Sequence, residues 1–152
     1  MQSKIFFTVK YAVAFILVIF SSAFIPKYGG DSFEIRLGNK VLVKEYVVQH
    51  VALKTVTLSK ENLNDRLTVY YNHCGQTGIN RIISLQNASG KLIKQWRFTD
   101  GNNTGMDLPV KDVLLTMEKN GNNLGLYYAS QQLPNGRLLT NLYTDVNATA
   151  AK

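Results

Sequence analysis

The chain has 152 residues, enough for one domain. It is basic, with 17 Lys and Arg against 10 Asp and Glu, but the cations are scattered singly and form no phosphate-tracking stripe, so nucleic acid is a poor partner. A single cysteine excludes an internal disulfide, and this favours a bacterial envelope or secreted protein that relies on its core.

Met1 to Lys10 carries two lysines and no acid, and "YAVAFILVIF", Tyr11 to Phe20, is apolar apart from the Tyr11 hydroxyl. "SSAF" follows with small residues at Ser21 and Ala23. This is the order of a secretory signal peptide, residues 1–23, cut after Ala23. The rival is an uncleaved anchor reaching about residue 25, with Lys10 snorkelling from the span Ile5 to Ile25. Either reading exports the remainder to the periplasm, cell surface or medium, and membrane contact is expected only through residues 5–25 if the signal is kept.

Residues 24–31, with "PKYGGD", read as a linker, and 32–146 as one domain. Its dominant period is two, the period of a strand. "SFEIRL" alternates Phe33, Ile35 and Leu37 against Glu34 and Arg36. After "GNK", a second strand runs through "VLVKEYVVQH", with a parity change near Lys44–Glu45 that predicts a bulge. Val51 to Leu58 is a third strand. "RLTVYYNHC" is a fourth, placing Leu67, Val69, Tyr71 and His73 on one face and Tyr70, Asn72 and Cys74 on the other. Ile79 to Gln86 and Lys91 to Phe98 form a hairpin about Asn87–Gly90, with Ile83, Leu85, Leu92, Trp96 and Phe98 as core.

One helix is expected near 108–119, capped by Asp107, with Val110, Val113, Leu114 and Met117 inward and Gly121 as its stop. "LGLYYAS" and "GRLLTNLY" make a last hairpin joined by "QQLPN", and 147–152 is a disordered tail. About eight or nine short strands with frequent turns predict an all-β antiparallel sandwich.

Few residues carry chemistry. His50, His73 and Cys74 supply the ligand types of a copper, zinc or redox site. Strand alternation sends His73 and Cys74 to opposite faces, so Cys74 is expected to be a small buried hydrophobe and His73 a strand-end residue. No carboxylate pair, nucleophile motif or phosphate loop stands out, and no cofactor is expected. Tyr70 and Tyr127 are expected to face outward. If their strands are neighbours, the rings form a platform for a glycan, envelope polymer or peptide, with Arg97 assisting.

The sequence is thus read as an exported, non-catalytic domain that binds or supports something. The alternatives are a small copper, zinc or redox protein, and an envelope assembly component that pairs through a strand edge.

Overall fold

The structure, a computed structural model, describes residues 30–47 and 53–145. The expected N-terminal signal or anchor, His50 and the expected tail lie outside the described residues. The described chain is mostly β, with nine strands in two sheets and one α-helix. The strands are β1 (Ser32–Leu37), β2 (Lys40–Tyr46), β3 (Thr55–Leu58), β4 (Arg66–Asn72), β5 (Arg81–Gln86), β6 (Leu92–Phe98), β7 (Met106–Pro109), β8 (Asn123–Ser130) and β9 (Leu133–Thr144). The helix α1 spans Val110–Asn120, and a 3-10 turn covers Lys60–Asn62.

Four strands pair in the order β2-β1-β4-β7 and five in the order β3-β9-β8-β5-β6; neither sheet closes into a barrel. The inner residues of both sheets belong to one core: Phe33, Ile35, Leu67, Val69 and Tyr71 from the first, Ile83, Leu85, Leu124, Leu126 and Tyr128 from the second. The alternation of β4 is as expected, since each inner side chain removes its surface from water while its neighbours stay wet.

Several details depart from the sequence reading. All pairings are antiparallel except one, because β3 runs parallel to β9. The bulge of β2 lies opposite Ile35/Arg36, between Val43 and Val41, rather than at Lys44–Glu45. This leaves Tyr46 opposite Ser32 and 67% exposed. Leu92 is not core but half exposed: a register shift between Leu85 and Gln86 sets Lys94 opposite Leu85 and Leu92 opposite Gln86 on the edge strand β6, and Ile93 packs against the core instead.

The helix begins two residues late. Met106–Pro109, which hold the expected cap Asp107 and the expected first helical residues 108 and 109, extend the first sheet beside β4 instead. Asp107 accepts from the Thr68 hydroxyl at 2.7 Å rather than capping the helix. Pro109 takes the N-cap position, and Val110, Val113 and Met117 are buried. Gly121 ends the helix at φ 111°, a left-handed value that glycine adopts without a Cβ clash, and its N–H returns to the Met117 carbonyl.

The two ends of the molecule follow from the register. Ser32 lies beside Asn72 and Leu37 beside Leu67, so Gly30 and Asp31 enter at the His73 end. Pro109 pairs with Arg66 at the opposite end, where α1 begins.

Candidate functional site

At its His73 end the molecule holds a polar network that spans both sheets. Strand β4 stops at Asn72, and Asn72 Oδ1 accepts the Gly75 N–H at 2.8 Å, turning the chain sharply. His73 keeps the inward parity of β4 and is buried, while Cys74, at φ 52°, is exposed. The neighbours therefore diverge as expected, but Cys74 is not the buried hydrophobe anticipated.

Asp31, which leads into β1, is the hub. Its Oδ2 accepts from the Tyr71 hydroxyl at 2.9 Å and lies 3.4 Å from His73 Nδ1 and 3.6 Å from Arg137 Nη1. Arg137 also donates to the Tyr71 oxygen at 2.5 Å. On the other ring edge, His73 Nε2 lies 2.9 Å from the Tyr128 hydroxyl and 3.1 Å from Ser130 Oγ. With Nδ1–H directed at the carboxylate, Nε2 has one lone pair for these two hydroxyls to share. The Tyr71 and Tyr128 rings stack at 4.1 Å between centroids, sealing the network from the core side.

Burial lowers the His73 pKa, with Arg137 adding to the effect and Asp31 opposing it, so the ring is neutral at neutral pH. Burial raises the Tyr71 pKa, helped by its donation to Asp31, and burial raises that of Tyr128.

Ser130, His73 and Asp31 stand in the order of an acyl-transfer triad. The Ser130 hydroxyl, however, belongs to a residue only 5% exposed and shares Nε2 with a closer phenol. Asp31 is divided among four partners, Tyr71, His73 and Arg137 at Oδ2 and the Cys74 thiol at Oδ1. Each group is occupied by another member, which is the geometry of a closed clasp between the sheets.

Cys74 Sγ lies 3.9 Å from Asp31 Oδ1. No group of three or more His, Cys, Asp or Glu residues is arranged to hold a metal ion among the described residues. His50, the other ligand considered, lies outside them.

Arg81, also buried, stands beside the clasp and donates to the Thr99 carbonyl at 2.7 Å and the Thr104 carbonyl at 2.8 Å. Gly78 and Gly101 exchange two backbone hydrogen bonds above it. This arginine therefore fixes the loop 99–105 through carbonyls, without a carboxylate partner among the described residues.

The outward tyrosines do not meet. Tyr70 is on β4 of the four-stranded sheet and Tyr127 on β8 of the five-stranded sheet, so their strands are not neighbours and the joint platform is ruled out by topology. Tyr127 packs over Gly125, where a Cβ would come within 2.7 Å of the ring. Arg97 is exposed on β6 and shares that outer face, opposite Ile82.

Tyr70 instead belongs to a face the sequence reading missed. Its ring lies under the Arg36 guanidinium at 5.0 Å. Arg36 hydrogen-bonds Glu34, and Lys44 reaches the same carboxylate at 3.5 Å. The Arg36 bond, with Lys44 beyond it, holds the Glu34 pKa below its usual value.

Above them Tyr46, Ser32 and Asn72 stand in one row across β2, β1 and β4. Together with Phe33, Glu34, Lys44, Glu45 and Asn103, that row lines a groove of about 270 Å³. Period-two parity could have placed Ser32, Glu34, Tyr70 and Asn72 together. Tyr46 joins them only because of the bulge, and Asn103 arrives from a loop.

A comparison with known proteins finds no matching family model, no matching curated protein and no matching solved structure.

Proposed function

We propose that this chain is an exported, non-catalytic β-sandwich module that binds a glycan or similar hydroxyl-rich envelope polymer on the outer face of its four-stranded sheet. The observation that carries this reading is the exposed Tyr46 ring at the lip of a polar groove. An aromatic face suits the C–H side of a sugar ring, and flanking polar groups suit its hydroxyls. Ser32, Asn72 and Asn103 offer neutral donors and acceptors there, and Glu34 offers an ionised acceptor.

The geometry favours binding over turnover, because the residues with catalytic chemistry are engaged with one another in the clasp. That clasp would serve the groove indirectly, fixing the entry of β1 and the exit of β4 through Asp31, Tyr71 and His73.

Affinity electrophoresis through gels containing a soluble β-glucan, a xylan, a mannan or solubilised peptidoglycan strands tests the reading. At least one polymer should retard the protein. Tyr46→Ala should abolish the retardation, and Tyr127→Ala, on the other sheet, should leave it unchanged. Free migration in every gel, or wild-type retardation of Tyr46→Ala, overturns it.

A further inference from the structure

We propose that the helix end of the domain is a docking surface for an anionic phospholipid bilayer, formed by Leu63, Leu92 and Leu115 among a ring of lysines. Leu63 follows the 3-10 turn, Leu92 opens β6 and Leu115 lies in α1, and the three are 38%, 50% and 45% exposed. Clustered exposed apolar side chains mark contact surfaces, whereas isolated ones do not.

These leucines are linked by two grooves. One, of about 480 Å³, runs between β6 and α1 and is lined by Leu92, Leu115, Lys91, Lys94 and Lys119. The other, of about 430 Å³, runs between α1 and the 3-10 turn and is lined by Leu58, Leu63, Leu114, Leu115, Lys60 and Lys111. Leu115 borders both, so α1 stands as a crest between them.

The charge favours an anionic partner. Five lysines face three acids across the two grooves. One of the acids, Asp112, already has Lys94 at 3.6 Å, and Glu118 and Asp145 both lie in the second groove. An apolar crest with cations on its flanks is the pattern of an interfacial element, whose side chains enter the headgroup boundary while ammonium groups meet phosphates. Docking this way leaves the glycan groove free, because that groove lies toward the Gly30 end of the other strand termini.

The test places a polarity-sensitive bimane at Leu115→Cys in a Cys74→Ser background of the full chain. This reads the helix end itself, whatever the N-terminal segment does. Phosphatidylglycerol vesicles should shift the emission to the blue, and phosphatidylcholine vesicles should not.

Replacing Lys91, Lys94 and Lys119 with alanine should raise the half-saturating vesicle concentration at least about tenfold, as should molar salt. No shift with phosphatidylglycerol, an equal shift with phosphatidylcholine, or an unchanged triple variant overturns the proposal. So does a shift caused by polyglutamate but not by vesicles, which assigns the surface to an acidic protein.

Discussion

The two ends of the molecule solve opposite problems. At the His73 end, buried and half-buried polar groups satisfy one another: Asp31, Tyr71, His73, Tyr128, Ser130 and Arg137 form one connected network. The loops around it, though exposed, are also tied by side-chain amides. The Gln132 amide accepts the Ile79 N–H and donates to the Thr77 carbonyl, and the Asn102 amide donates to Gly75. At the helix end, apolar groups stay exposed and the charges face outward.

A polar group can be buried only when its partners are in place, so the first end is rigid and intolerant of change. An exposed leucine holds little of the fold together, so the second end is free to be shaped by what it meets.

Substitution should expose this contrast most at Tyr128. Tyr128→Ala removes a fully buried ring from the stack and the clasp together, and should destabilise by about 3–5 kcal/mol in urea unfolding. Leu115→Ala at the other end should stay within about 0.5 kcal/mol of the wild type. Equal losses at the two positions would erase the distinction.

The next effect is one of pH. Burial depresses the folded His73 pKa below that of a free histidine, so the unfolded chain takes up the proton first. Stability from this group is complete above the unfolded value and is lost as pH falls through the folded one. Its charged and titratable neighbours are Asp31, Arg137, Tyr71 and Tyr128, and only Asp31 favours the charged ring. Urea midpoints measured from pH 8 to pH 5 should therefore fall more steeply for the wild type than for His73→Asn. Parallel slopes would show that the clasp does not hold a neutral imidazole.

Ser130 gives the smallest effect at that end and sharpens the reading of the triad. Ser130→Ala should cost only about 1 kcal/mol, since Tyr128 remains on His73 Nε2. A fluorophosphonate probe should leave Ser130 unlabelled in the native protein, as detected by peptide mass. Stoichiometric labelling would mean that the hydroxyl is an available nucleophile and that the clasp is open.

Much of the architecture was legible from local pattern. The inward row Leu67, Val69, Tyr71 and His73, the hairpin about Asn87–Gly90 and the helix face Val110, Val113, Met117 are all fixed by spacing. Asp107 shows where that reading fails. It has the chemistry of a cap, but pairing with β4 competes for the same backbone, and the strand prevails over the first helical turn.

The candidate sites were less legible. The short stretch holding His73 and Cys74 drew attention by its letters, yet the partners of His73 are Asp31, 42 positions earlier, and Ser130, 57 later. Nothing near them in sequence marks those two residues.

The sequence by itself determined which side of the regularly alternating strands β1, β4 and β8 faces the core, because alternation is a property of one chain segment and the hydrophobic effect acts on each side chain in place. Only the tertiary structure decided which faces meet. The strand order separates Tyr70 from Tyr127, the bulge opposite Ile35 turns Tyr46 outward, and the stacking of two sheets brings Asp31, His73 and Ser130 together. These are pairings between distant segments, settled by register and by the need to satisfy buried polar groups.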